Sequence, residues 1–360
     1  MELSVCIITK NEKEKLKNCL EALQRIKEKG QDFEIVIADT GSTDGTKELA
    51  AEYTDRIFDF VWQDDFSLAR NFVAEKASHH MIMMLDSDEY VKQMDCRGLE
   101  QAWENFPELV GRIRRINLLD RDGEQQEISE YISRIYDRRL YHYEGRIHEQ
   151  VTRIRQEGQP AEKDCKTYPV DVVVEHDGYC GSGDALNAKI RRNITMLQRE
   201  LEEQGDDPYL CYQLGKAYYV AKDYEAAVAA FDRALCQELN PRLEYVIDMI
   251  QAYGYSLLKS GKTAQALTLE GVYEDFGDTA DFRFLMGLIY MNNGLFDRAV
   301  DEFIGATKAP EAYTKGANSY LAYYNAGVIR ECLGDLEQAK ELYEKCGDYP
   351  RARERLVSIK

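Results

Sequence analysis

Beyond residue 185 the chain repeats itself, and no other feature narrows its fold as far. Glycine-centred helical segments align on Gly215, Gly254, Gly287 and Gly327, at spacings of 39, 33 and 40 residues. The segment at Gly215 carries Leu214, Tyr218, Ala227, Phe231 and Ala234. The segment at Gly287 carries Met286, Tyr290, Ala299, Phe303 and Ala306 at identical offsets. A period of this length is that of a helical solenoid, whose units bury their apolar faces only against their neighbours. The fourth unit fits at Gly327, Ala339 and Tyr343, with Arg330 where an aromatic is expected, and the second keeps only Gly254 and Ala266.

Residues 1 to about 185 obey another rule. Ser4 to Thr9 and Phe33 to Asp39 are short β-branched runs separated by a charged helical stretch from about Glu12. Ile57 to Val61 and Met81 to Leu85 are further strands, the latter continuously apolar as a strand buried on both faces must be. Val170 to Glu175 reads as the last strand, and the glycine-rich segment Gly178 to Gly183 as the boundary. The expected organisation is an α/β domain over 1–185 and an all-α solenoid over 186–360. The repeats resemble tetratricopeptide repeats, in which small residues let the paired helices approach and larger ones fill the gap to the next unit.

A chain of 360 residues is long enough for two cores. Its 46 basic against 65 acidic residues give a net charge of −19, which disfavours nucleic acid and anionic membrane surfaces as partners. No apolar run approaches the roughly 18 residues of a membrane span, and Glu2 stands where a secretory signal carries positive charge. The simplest compartment is the cytoplasm. The nine cysteines form no Cys-x-x-Cys pair and read as reduced thiols.

The chemistry concentrates at strand ends. Asp86-Ser87-Asp88-Glu89 follows the apolar strand, where open α/β sheets gather their ligands. Hard cations such as Mg²⁺ and Mn²⁺ take one or two carboxylates together with phosphate oxygens, so this Asp-x-Asp points to a metal-bound diphosphate, against the plainer alternative of a solvated acidic turn. Asp39-Thr40-Gly41-Ser42-Thr43-Asp44-Gly45-Thr46 ends another strand and opens a helix. Asp39 there can accept from a base or ribose, and the same residues also suit a capped turn. No lysine follows in Walker spacing, which disfavours a P-loop enzyme.

Taken in order, these segments resemble a family 2 glycosyltransferase of the GT-A fold. The resemblance extends through Trp62 to Asn71, Gly145-Arg146-Ile147-His148-Glu149, and Glu175 to Tyr179 followed by Lys189, Arg192 and Asn193. With tetratricopeptide repeats attached, the chain is similar to a bacterial subgroup that includes the peptide S-glycosyltransferases of glycosylated bacteriocins. The resemblance implies inverting, hexosyltransferase-type transfer from a nucleotide-sugar, UDP-linked by expectation, with Mn²⁺ or Mg²⁺. It places Thr9, Glu12 and Asp39 near the nucleoside, and Asp86 and Asp88 near ribose and metal, Asp88 being the stronger metal ligand. Arg70 would fix the donor, as a guanidinium pairs with phosphate or carboxylate, and Asn71 would bind a sugar hydroxyl; a surface helix is the competing reading for both. Glu149 is the candidate general base, the alternative being an Arg146–Glu149 pair that only holds a loop. His176 is a candidate metal ligand beside Asp88, with a solvated turn as its alternative.

The leading expectation is a glycosyltransferase whose repeats recruit a peptide or protein acceptor or another subunit, a second copy included. A glycan or lipid-linked acceptor of the cell envelope, and a silent scaffold, are the alternatives. The retained acids and the Arg70-Asn71 pair speak against the last.

Overall fold

A computed structural model describes residues 2–121, 124–155, 165–176 and 183–359. The chain forms two compact units, residues 1–196 and 197–360. Nearly all of the glycine-rich segment read as the boundary lies outside the described residues.

The first unit holds strands β1 (Leu3–Thr9), β2 (Glu34–Asp39), β3 (Ile57–Asp59), β4 (Met81–Asp86), β5 (Glu89–Met94), β6 (Val110–Arg121), β7 (Glu124–Asp137), β8 (Tyr141–Glu144), β9 (Gln150–Arg153) and β10 (Thr167–His176). Its helices are α1 (Lys13–Glu28), α2 (Thr46–Ala50), α3 (Phe66–Lys76), α4 (Cys96–Asn105) and α5 (Gly183–Gln204), the last running on past residue 196. Eight strands form one mixed sheet in the order β3-β2-β1-β4-β7-β6-β10-β5, and β8 pairs with β9 separately. Strands β3, β2, β1 and β4 run parallel, while β7 is antiparallel to both β4 and β6.

The apolar continuity of β4 has the expected cause, and β1 beside it is buried in the same way. Val5, Ile7, Met83 and Leu85 pack on one face with Leu16, Leu20 and Leu23 of α1. Cys6, Ile8, Ile82 and Met84 pack on the other with Ala69 and Val73 of α3. Each fully buried side chain of this size stabilises the fold by about 1.5–3 kcal/mol. The long β6–β7 pair has no such signature: Arg112-Ile113-Arg114-Arg115-Ile116 mixes charge into a strand. The eight described cysteines are free thiols.

The second unit is helical throughout: α6 (Pro208–Val220), α7 (Tyr224–Leu235), α8 (Glu244–Lys259), α9 (Thr263–Ala266), a 3₁₀ segment (Leu267–Val272), α10 (Tyr273–Phe276), α11 (Ala280–Asn292), α12 (Phe296–Ala306), α13 (Tyr320–Cys332), α14 (Leu336–Glu344) and α15 (Pro350–Ser358). The repeat glycines sit where helices cross. A Cβ on Gly215 would stand 2.4 Å from the Phe231 ring, on Gly287 2.7 Å from Phe303, and on Gly327 2.7 Å from Tyr343. The second unit departs for a local reason. Sixteen residues after Gly254 comes Glu270 instead of an aromatic, and there the second helix of the pair breaks into α9, the 3₁₀ turn and α10.

Candidate active site

Strand β1 has β2 on one side and β4 on the other, so chain direction across the sheet reverses between them. Their carboxyl ends open the crevice in which α/β sheets bind ligands. The loops above β1 and β2 are tied together. Asn11 Oδ1 accepts from Thr43 N at 2.7 Å, Asn11 N donates to Ser42 Oγ at 2.9 Å, and Lys13 N donates to Asp44 Oδ2 at 3.3 Å.

Within this frame Asp39 is only half used. Its Oδ1 accepts from Gly41 N at 3.0 Å and Ser42 N at 2.9 Å, closing the turn. Its Oδ2, like Thr9 Oγ1, is buried and finds no hydrogen-bond partner among the described residues. Asp39 is 3% exposed and Thr9 4%. Each buried, unsatisfied polar atom costs about 1–3 kcal/mol, a cost that a ligand donating to both sites would offset. The capped-turn and ligand readings of Asp39 therefore apply to different oxygens of one carboxylate.

Glu12 lies on the Asp88 side of the crevice. Its carboxylate accepts from the Ser87 hydroxyl and stands 3.8 Å from Lys15 Nζ. Asp88, in the two-residue turn between β4 and β5, places Oδ2 3.5 Å from His176 Nε2 and 3.6 Å from Lys15 Nζ. Burial pushes the Asp88 carboxyl up, but the His176 hydrogen bond and the His176 and Lys15 charges outweigh it, leaving the group below its ordinary value. His176 is oriented from behind, with Nδ1 2.8 Å from Asn117 Oδ1 while Asn117 Nδ2 donates to Glu130 Oε1 at 2.6 Å. This arrangement directs Nε2 at Asp88, as outer partners commonly fix ligating histidines. Asp88 and His176 thus offer one oxygen and one nitrogen suited to Mn²⁺ or Mg²⁺. The described residues hold no cluster of three or more His, Cys, Asp or Glu donors, so a cation here would draw the rest of its shell from substrate oxygens and water.

Asp86 is spoken for. Its Oδ1 accepts from Arg70 Nη2 at 2.8 Å and its Oδ2 from Arg134 Nη2 at 2.7 Å. Burial pushes its carboxyl up, but Arg134 and Arg70 hold it far below the carboxylate range. The Asp86 amide donates to Glu89 Oε2 at 3.0 Å, and Glu89 Oε1 meets Arg134 at 3.1 Å and Arg115 at 3.2 Å. The resemblance puts Asp86 beside ribose and metal; both its oxygens are engaged inside this network.

Arg70 is buried on the inward face of α3, not on a surface helix. Its Nε donates to Glu149 Oε1 at 2.5 Å, and the guanidinium lies 5.3 Å from the Tyr143 ring centre. Glu149 pairs with Arg70, 79 residues away, a contact that the local Arg146 pairing considered from sequence does not include. Beside it His148 adopts φ +53°, and burial pushes its imidazole below the ordinary value, with Glu149 opposing. Asn71 turns both ends of its amide to the Tyr143 backbone, donating to the carbonyl and accepting from the amide at 2.9 Å each, and so clamps β8.

Arg134, Arg115, Asn117, Glu130 and Lys15 were not singled out from sequence. Only Arg134 leaves a trace there. It shares strand parity with Ile132 and Tyr136, so a charge occupies a position of apolar phase.

The fold joins a mixed α/β domain to helical repeats, and the comparisons with known proteins agree. Residues 4–154 match Glycosyl transferase family 2, and residues 189–242, 253–313 and 320–348 match tetratricopeptide repeats. The chain carries a family 2 glycosyltransferase domain followed by tetratricopeptide repeats. It is similar to the SPbeta prophage-derived glycosyltransferase SunS of Bacillus subtilis, 23% identical over 306 residues, 80% of this chain and 67% of SunS. A TPR repeat-containing protein of Synechococcus elongatus is 24% identical over 315 residues, 86% of this chain and 66% of that protein. This chain spans about two thirds of the length of both relatives. Among solved structures, the TPR protein YrrB aligns with a TM-score of 0.40 at 23% identity, over 48% of this chain and 84% of that one. No described helix is long and apolar enough to cross a membrane.

Proposed function

We propose that this protein transfers a sugar from a nucleotide-sugar, UDP-linked in the first instance, to a peptide or protein acceptor, with inversion and with a divalent cation. The observation that carries the donor half of this reading is the pair of orphaned buried acceptors, Thr9 Oγ1 and Asp39 Oδ2, at the ends of adjacent strands. A nucleoside offers N–H and O–H donors to such atoms. Asp88 and His176 would hold the cation, which when bound supplies Lewis-acid neutralisation of the diphosphate.

In the proposed displacement the acceptor atom forms a bond to the anomeric carbon while the bond from that carbon to the diphosphate oxygen breaks. The acceptor's proton passes to a carboxylate, for which Glu149 is the candidate. Arg70 orients Glu149 and Asp86 together, making it a positioning residue. The repeats would present the acceptor, since stacked helical repeats offer extended surfaces suited to peptides.

The test is calorimetric titration of UDP-sugars with and without Mn²⁺, in parallel with slow donor hydrolysis, for wild type and Asp88→Ala. Metal-dependent binding lost in the variant supports the reading. Failure of UDP-, GDP- and dTDP-sugars alike to bind would refute it and leave the scaffold alternative.

A further inference from the structure

The arginines of the crevice are committed to its acids. Arg70 serves Asp86 and Glu149, Arg134 serves Asp86 and Glu89, Arg115 serves Glu89 and Glu130, and Lys15 stands between Glu12 and Asp88. Arg192 on α5 differs. Its guanidinium lies 5.4 Å from the ring centre of Phe66, and it has no ion pair or hydrogen bond with any described residue.

The location of that stack matters. Phe66 is the first residue of α3, the helix that carries Arg70 into the acidic network four residues later. Its amide donates to the Arg146 carbonyl at 2.8 Å, which ties it to the loop bearing His148 and Glu149, and the Trp62 ring meets its edge at 4.9 Å. On its other flank Arg192 feels the Glu12 carboxylate, itself bonded to Ser87 beside Asp88. Arg192 is exposed to solvent; its partial desolvation beside Phe66 pulls the guanidinium below its ordinary value, with Glu12 opposing.

A stacked guanidinium keeps its fork of N–H donors for an anion, and the planar fork suits phosphate oxygens. We infer that Arg192 binds the diphosphate of the donor, contributing a charge-assisted contact to the phosphate chain and none to the nucleoside. This assignment rests on the donor-site reading and adds to it a residue from the helix that follows the sheet.

The experiment compares uridine, UMP and UDP binding to the full chain by calorimetry, for wild type, Arg192→Ala and Arg192→Lys, each with Mn²⁺ and with a chelator. Arg192→Ala is expected to weaken UDP about tenfold, equivalent to ~1.4 kcal/mol, while uridine binding stays unchanged; Arg192→Lys recovers part of the loss because it keeps charge without the fork. UDP affinity equal to wild type, or uridine and UDP weakened alike, would overturn the assignment while leaving the donor site intact. A wild type that binds neither these nor the guanosine and thymidine equivalents overturns the donor reading and this inference with it.

Discussion

Replacing Arg134 with methionine keeps volume and stem while removing the charge that joins Asp86 to Glu89. Glu89 is fully buried, and without Arg134 it retains Arg115 at 3.2 Å and the Asp86 amide at 3.0 Å; Asp86 retains Arg70 at 2.8 Å. Removing one partner of a buried ion pair costs about 3–5 kcal/mol, and the surviving arginines place the expectation near the lower end, ~3 kcal/mol. That is a large part of a typical domain stability of about 5–15 kcal/mol. The assay isolates the right unit. The chain has 2 tryptophans, Trp62 and Trp103, and both lie in residues 1–196, so urea unfolding followed by their emission reports the catalytic domain alone. The pH dependence has a definite sign. Burial pushes the Asp86 carboxyl up, the two arginines more than reverse this, and the folded value lies far below the unfolded value of about 3.9. The stability tied to this group is thus fully present above about pH 4 and is lost as pH falls toward the folded value. The gap between wild type and Arg134→Met should be full at pH 7 and narrow only once Asp86 of the folded variant, still held by Arg70, takes up its proton while the wild-type carboxylate does not. A loss under ~1 kcal/mol at pH 7 would refute the network's role.

Other outcomes follow from single observations. Thr9→Val should leave ligand-free stability equal or slightly higher, because it removes a buried orphan hydroxyl, yet weaken uridine binding by about 1 kcal/mol or more; unchanged uridine affinity in calorimetry would count against the nucleoside site. Asp88→Asn and His176→Ala should each abolish the Mn²⁺-dependent increment of UDP binding while leaving uridine binding in place, and retention of that increment in both would remove them as metal ligands. Gly215→Ala and Gly287→Ala should destabilise the repeats by about 1–3 kcal/mol, since the added methyl meets Phe231 at 2.4 Å or Phe303 at 2.7 Å; circular dichroism melts at 222 nm should move while tryptophan emission does not, and unshifted melts would mean that the rings move aside at little cost.

What could be read from the sequence is what depends on neighbours along the chain. Strand and helix periods separated the α/β half from the repeats. Apolar continuity marked β4 as buried on both faces, and Asp39, Asp86 and Asp88 stood out because each ends a strand or sits in the turn just after one. Even the irregular second repeat is a local matter, with Glu270 in the place of a ring. Which charges meet was decided by the tertiary structure. Arg134 reaches Asp86 across 48 residues and Arg70 reaches Glu149 across 79, through a sheet order that sets β7 against β4 and packs α3 beneath them. An ion pair depends on distance through space and on the water excluded around it, and neither is a function of spacing in the chain. For that reason the sequence could name Asp86 as an acid of the site, while only the packed sheet shows its two oxygens already taken and Asp39 Oδ2 still without a donor among the described residues.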